Sequence, residues 1–467
     1  MMIIGRVVAA ALAMEPAWVQ TVQIAASNGP PEDACESKST VASPGTPSVT
    51  PPPSASEVTE SESVAMVRMD TAAGAANANL PEGWAKRLQV GEAYNVAGVP
   101  LESLRGRDVD IDRIHAVIAG AARRDHVVRL AFWGASHVAG EYMTGELRRL
   151  LQDRYGDAGH GFVMPAAPWT GYRASDVNLC SGGEWVSDFV DRRGGRADGL
   201  LGFAGVSIEG LAQSATGWVQ TTRTNPHGQR VSQFEIHYLR QPGGGVLEAV
   251  VDDAPPISIP TAGATGPGTL IVKVPDGPHR LTVHPAGDGP VRIFGVVMER
   301  ETPGVVVDAM GVSGRTASSW NHWDEPLMRA FLDRRRPELA VLAYGTNEAN
   351  DRSLTPEEYR GNLRGMLTKF RRLLPDTACL LIGPSDRAKR VKGTTYAVWG
   401  PTEWVAGVQR EVGPEFGCAT WDLQAVMGGP GSMVRWRAAE PALAAGDYIH
   451  LSAAGYQEVA RRLLAVL

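Results

Sequence analysis

The chain predicts an α/β fold, a doubly wound and mainly parallel sheet, with a β-sandwich inserted into it and a disordered N-terminal segment. Three observations carry this. Short apolar runs at 127–131, 304–308, 339–344, 378–382 and 418–423 each lead into a loop, and amphipathic stretches separate them, which is the alternation that builds a parallel sheet. Between the first two of these runs, from 175 to 298, the texture changes to short alternating strands divided by Gly, Pro and Asp turns, without helices. From Asn28 to Asn79 the chain is rich in Pro, Ser, Thr, Ala and Glu, with few aliphatic residues to bury, so that stretch is expected to be a disordered tether.

The totals bound the function. The 467 residues suffice for two ordinary domains and a tail, and 43% hydrophobic residues suffice to pack their cores. A net charge of −6 over that length gives no electrostatic basis for a nucleic-acid partner. The histidines form no HExxH and the cysteines (Cys35, Cys180, Cys379, Cys418) no CxxC, which argues against a structural zinc site. Cys379 and Cys418 sit in short apolar runs that read as buried strands, where two free thiols are the expectation. No run reaches the roughly 20 apolar residues of a membrane span, so no integral membrane segment is expected. Arg6, the apolar stretch Val7 to Met14 and the small residues Ala25-Ala26-Ser27 read as a candidate signal segment, consistent with export to the periplasm or cell envelope. The expected organisation is a signal segment (1–27), a linker (28–79), the first part of the α/β domain (80–174), the inserted sandwich (175–300) and the second part of the α/β domain (301–467).

In chain order, Ile111 to Ala122 reads as a helix leading into the first strand. That strand, Val127 to Ala131, ends in Phe132-Trp133-Gly134-Ala135-Ser136-His137. A helix is expected from Ala139 to Tyr155, with Met143, Leu147, Leu150 and Leu151 on its sheet-facing side. A strand that breaks at Gly-x-Ser and enters a helix lifts a serine hydroxyl above the sheet edge, beside unpaired helix N–H groups that suit an anion. Gly156 to Trp169, rich in Gly and Pro, reads as a loop over the same rim. In the insert, strands are expected at 231–239, 246–251, 269–274, 280–283 and 291–298. Its aromatics Trp185, Trp218, Phe234 and Tyr238 are expected mostly in the core, and His279 and His284 at the surface. After the insert, Gly304 to Asp308 enters Gly311-Val312-Ser313-Gly314, and Leu339 to Tyr344 enters Gly345-Thr346-Asn347. Thr355 as N-cap, Pro356 at the first helical position and Glu358 completing a capping box mark a helix to Leu374. A closing helix from Ser452 to Leu467 follows Asp447-Tyr448-Ile449-His450.

Four loops at strand ends (134–136, 311–314, 345–347 and 447–450) would share one rim of such a sheet, where distant positions converge on one pocket. A serine is a poor nucleophile without a base, an imidazole can take its proton near neutral pH, and a carboxylate on the other ring nitrogen fixes the tautomer. The set of blocks resembles the SGNH (GDSL-like) hydrolases, from Val127 to Leu467 without the insert. That resemblance implies a flavodoxin-like sheet, with Ser136 as nucleophile, His450 as general base and Asp447 as its orienting carboxylate. It also implies an oxyanion hole made of the Ser136 and Gly314 N–H groups and the Asn347 amide, and no metal or organic cofactor. Losing one such donor typically lowers the rate about 10²–10³-fold.

Where the family usually has Asp before the nucleophile, this chain has Ala135. Lowered but retained activity is expected, with turnover rising when Asp is restored at 135. A sandwich between the first and second blocks is similar to the arrangement in peptidoglycan O-acetylesterases. This implies a serine esterase removing O-acetyl groups from a cell-wall or extracellular glycan, peptidoglycan foremost. The alternatives are an SGNH lipase, thioesterase or O-acetyltransferase, and, in another class, a catalytically impaired glycan-binding protein. Trp169, Tyr172, Trp320 and Trp323, near the rim loops, are candidate substrate contacts. His137 is a further candidate, although loop packing is its more ordinary role.

Overall fold

The computed structural model describes residues 15–25, 29–30, 87–89, 99–223, 225–393 and 395–467. The expected disorder over 28–79, apart from residues 29–30, and the apolar stretch Val7 to Met14 lie outside the described residues.

Five strands form the parallel sheet: β1 (Val127–Gly134), β2 (Gly304–Gly311), β3 (Leu339–Ala343), β4 (Ala378–Ile382) and β5 (Cys418–Trp421). Their order is β2-β1-β3-β4-β5, and every neighbouring pair is parallel. The first strand lies inside the sheet, so the chain reverses direction across it and leaves a crevice at the carboxyl ends of β1 and β3. Alternate residues of β1 serve opposite faces. Leu130 and Phe132 join a buried cluster with helices Asp108–Arg123, Tyr142–Tyr155 and Ala453–Val466. Ala131 and Trp133 join a second cluster with helices Glu325–Arg335, Pro356–Leu373 and Pro401–Val412. Burial on both faces explains why these strands read as continuous apolar runs. The capping box forms as its residues predict: Thr355 Oγ1 accepts the Glu358 N–H (3.2 Å), and Glu358 Oε2 accepts the Thr355 N–H (2.8 Å).

The helix expected from Ala139 starts earlier and is broken. A short turn of helix spans Ser136–Ala139, and the longer helix begins at Tyr142. Between them Glu141 takes a left-handed conformation (φ 56°). Its buried carboxylate accepts from Arg148 Nη2 (3.1 Å) and from the Ser175 N–H, contacts that hold the break.

The insert is a sandwich of two sheets. One contains Trp185–Phe189, Val206–Gly210, Val231–Arg240, Gly266–Gly277 and Val291–Glu299. The other contains Val177–Gly182, Thr216–Thr221, Val246–Val251, Ile257–Pro260 and Arg280–Pro285. Phe234, Ile236 and Val272 of the first pack in one core with Val219, Leu247 and Val283 of the second. Trp185, Phe234 and Tyr238 are buried, while Trp218 is half-buried under the Arg280 guanidinium (4.3 Å). His279 is not at the surface: it is buried, with Nδ1 on Asp252 (2.7 Å) and Nε2 on the Pro275 carbonyl (2.7 Å). His284 is half-buried beside Glu248 (3.5 Å).

The first sheet also takes two strands from outside 175–300. Gly161–Val163, in the expected rim loop, pairs with Val291–Glu299. Val19–Gln23, in the candidate signal segment, runs parallel to Gly266–Gly277, and Trp18 packs edge-on against Phe331 (6.3 Å). Cleavage at 25–27 would therefore remove a strand of the sandwich. Among the described residues, no helix is long and apolar enough to cross a membrane.

The cysteine expectation is overturned. Cys379 of β4 and Cys418 of β5 are register partners with Cα atoms 4.5 Å apart, and they form a disulfide. Cys180 is disulfide-bonded too, and no described cysteine is free.

Candidate active site

The Ser136 turn is built by close packing at the end of β1. A Cβ on Gly134 would lie 2.7 Å from the Ala343 carbonyl of β3, and one on Gly311 would lie 2.1 Å from the Ala139 nitrogen. Glycine at these two positions lets both flanking strands close on the turn. The turn then starts its helix at Ser136, with the Val138 and Ala139 N–H groups on the Ala135 carbonyl (3.0 and 2.9 Å). Ser136 Oγ lies 2.8 Å from His450 Nε2, and His450 Nδ1 lies 2.6 Å from Asp447 Oδ2. Asp447 Oδ1 also accepts the N–H groups of Ile449 and His450 (3.0 Å each), so the D-x-x-H spacing closes one tight turn around the carboxylate. Partial burial works against the Asp447 charge. The hydrogen bond and charge of His450 and the two backbone donors outweigh it and hold the carboxyl at about 2. A carboxylate on Nδ1 places the ring proton there and leaves Nε2 as an acceptor for the serine hydroxyl.

Two further loops meet at this end of the sheet. Gly314 is exposed in a left-handed conformation (φ 78°), and its N–H makes no backbone hydrogen bond in a loop or turn among the described residues. Asn347 is half-buried, and its Nδ2 donates to the Arg315 carbonyl (2.8 Å), which ties the amide to the Gly314 loop. The rim thus brings together a hydroxyl, an imidazole, a carboxylate and neutral N–H donors, the groups that acyl transfer uses.

Residues 275–458 match the GDSL-like lipase/acylhydrolase family, a stretch that holds Gly314, Asn347, Asp447 and His450. A solved peptidoglycan O-acetylesterase is similar over 81% of this chain and 97% of that chain, with a TM-score of 0.62 and 24% identity. The fold is that of the SGNH, or GDSL-like, hydrolases. A family two carbohydrate esterase from Clostridium thermocellum, in complex with cellohexaose, aligns at 14% identity over 56% of this chain and 93% of that one, with a TM-score of 0.25. Another from Cellvibrio japonicus aligns at 12% over 62% and 96%, with a TM-score of 0.23. No curated protein matches the chain.

Around this centre, the candidate substrate contacts divide. Trp169 and Tyr172 are half-buried and meet edge-on (5.5 Å); Trp169 also meets Phe189 (6.0 Å), over which the Arg315 guanidinium lies (5.4 Å). They form a wall that continues to the Gly314 loop. Trp320 and Trp323 are withdrawn into the core. They are 0% and 5% exposed and stack on each other (5.0 Å), because the segment after Gly314 folds into a 3-10 turn, Ala317–His322, and carries both indoles into the core. His137 packs behind His450 (rings 5.2 Å apart), with Nδ1 on the Tyr456 hydroxyl (2.9 Å) and Nε2 on Ser385 Oγ (3.4 Å). Burial, then the neighbouring His450, pulls its imidazole down to about 3, so it stays neutral.

Two site residues escape sequence reasoning. Ser385 donates to the Ile449 carbonyl (3.1 Å), and Glu348 lies buried beside Asn347. An acidic residue directly after the Asn block was the available signal for Glu348; Ser385 has none.

Proposed function

We propose that this SGNH hydrolase is a serine esterase that removes O-acetyl groups from a cell-wall glycan, with peptidoglycan as the substrate. The observation that carries the reading is the hydrogen-bonded chain Asp447–His450–Ser136, closed at 2.6 and 2.8 Å at the start of a helix. Ser136 Oγ attacks the acetyl carbonyl as its proton passes to His450 Nε2. The oxyanion takes the N–H groups of Ser136 and Gly314 and the Asn347 amide. The sugar oxygen leaves with the proton from His450, and an acetyl-enzyme remains. Water then attacks as His450 takes its proton, and acetate departs as Ser136 recovers a proton.

One observation favours an ester on a sugar. The Trp169–Tyr172 wall offers aromatic surface beside the Gly314 loop, which suits a sugar ring. The O-acetylesterase neighbour supports the choice of polymer. In this reading the α/β parts (80–174 and 301–467) do the chemistry, the sandwich (175–300) flanks the polymer, and the protein works outside the cytoplasm.

The test is acetate release from O-acetylated peptidoglycan and from a small acetyl ester, by the parent and by Ser136→Ala. The parent releases acetate from both, and the variant falls about 10³-fold or more. Release only when a sugar acceptor is present would make the protein a transferase, and preference for long acyl chains a lipase. A folded parent inert on every ester would reject the reading.

A further inference from the structure

Glu348 is a carboxylate that this mechanism leaves unused, yet it lies between the two loops that carry the oxyanion donors. It is 2% exposed, and its two oxygens serve different loops. Oε1 accepts the Ala317 N–H (2.7 Å), from the turn that follows Gly314. Oε2 accepts the Gly345 N–H (2.9 Å), two residues before Asn347. The strands that end in these loops, β2 and β3, are not neighbours, because β1 lies between them. The ladder fixes the ends of β2 and β3 through Gly134, which pairs with both Gly311 and Ala343, but it does not set the distance between Gly314 and Asn347 in the loops beyond. The Glu348 carboxylate and the Asn347–Arg315 hydrogen bond do.

We propose that ionised Glu348 is a positioning residue that fixes the separation of Gly314 and Asn347, and with it the shape of the oxyanion hole. This rests on reading those two residues as the oxyanion donors. The titratable groups that face the carboxylate are Tyr344, at the end of β3, and Tyr359, from helix Pro356–Leu373. Burial raises both hydroxyls, so they stay neutral, and Gln409 joins them, donating to the Tyr344 carbonyl and bonding the Tyr359 hydroxyl (2.9 Å each). Among the described residues no Lys, Arg or His offsets the charge. Burial pushes the carboxyl up to about 7, against the pull of its backbone donors. A neutral carboxyl carries a proton on one oxygen, so only one loop then keeps a strong acceptor. Acidification through neutrality loosens the clamp, and alkalinisation restores it.

The first test needs no catalysis. In the full-length protein, the Ala317 and Gly345 amide resonances are followed by NMR across neutral pH. Both titrate with one shared midpoint near 7, and neither does so in Glu348→Gln. The second test is kinetic, on a small acetyl ester. Glu348→Gln lowers kcat about 10–100-fold with KM within about twofold, the scale of a misplaced donor. The acid limb of kcat also becomes shallower, from two protons (Glu348 and the base) to one. Glu348→Asp keeps the charge but is one methylene too short to span both loops, so it loses kcat and keeps the steep limb. Amides that do not titrate together overturn the proposal, even if the Gln variant fails to fold. So does a Gln variant with the parent's kcat and pH profile. Titrating amides in an enzyme inert on every ester would reject the esterase reading and leave the clamp standing.

Discussion

His137 stands next to the proposed nucleophile, but its protons run elsewhere. The Tyr456 hydroxyl takes the Leu451 N–H and donates to His137 Nδ1; His137 Nε2 then donates to Ser385 Oγ, and Ser385 donates to the Ile449 carbonyl. This relay grips the backbone on both sides of His450, the proposed base. Tyr456→Phe keeps the ring stacked on Tyr142 and removes the hydroxyl. One lost hydrogen bond of about 1–1.5 kcal/mol predicts kcat lower by roughly 5–10-fold with KM unchanged, read from steady-state kinetics on an acetyl ester. Ala135 can be judged at the same scale. It occupies the N-cap of the Ser136 turn and offers no side-chain acceptor to the helix N–H groups. Ala135→Asp supplies one, and the expected gain is about 1 kcal/mol of stability together with higher turnover, measured by thermal melting and kcat. A variant that melts lower and turns over no faster would show that the buried turn has no room for a carboxylate.

Elements whose causes are local could be read in the sequence; those that need a neighbour could not. The helix Pro356–Leu373 is signalled by its own Thr355, Pro356 and Glu358, and it forms there. The strand into Ser136 is signalled by its apolar run and Gly-x-Ser, and it forms too. The Cys379–Cys418 bond depends on β4 and β5 lying side by side in a given register, and no residue within either strand records that. Trp320 and Trp323 likewise look like loop aromatics until the Ala317–His322 turn is placed against helix Pro356–Leu373, where Lys369 Nζ donates to both their carbonyls (2.7 and 2.6 Å). The broken helix at Glu141 needed Arg148 and Ser175. The disulfide yields a prediction at this scale. It closes a loop of 39 residues, so reduction should destabilise the fold by about 2–4 kcal/mol. The melting temperature should fall in Cys379→Ala/Cys418→Ala, and a reductant, which also reaches the disulfide of Cys180, should lower the parent's at least as far and the variant's by less.

At the scale of the molecule, a buried electrostatic seam joins the sandwich to the α/β sheet. Arg335, on helix Glu325–Arg335, donates to both oxygens of Asp308 in β2 (2.7 and 2.8 Å) and to Glu299, the last residue of a sandwich strand. Arg129 of β1 completes the set with two bonds to Glu299 (2.8 Å each). Beside it, His237 of the sandwich is 1% exposed, its ring against Phe331 of the same helix (4.8 Å). Burial pulls its imidazole down to about 4, so it is neutral in the fold. Burial raises Glu299, but Arg335 and Arg129 outweigh that and hold its carboxyl at about 2. The signs then add. Between an ordinary 6.5 and 4, the unfolded chain binds a proton at His237 that the native protein does not, so stability falls as the pH drops through that window. Between 4.5 and 2 the same holds for Glu299, and the seam weakens again. His237→Phe keeps an aromatic ring in the seam and removes only the first loss. Relative to its own stability at about pH 7.5, the variant should lose less than the parent at about pH 5, by on the order of 2 kcal/mol, in urea unfolding. Below about pH 4 the two should fall in parallel, because Glu299 is untouched. Identical losses at every pH would mean that His237 carries its proton inside the fold, and that the acid response of the seam belongs to the carboxylates alone.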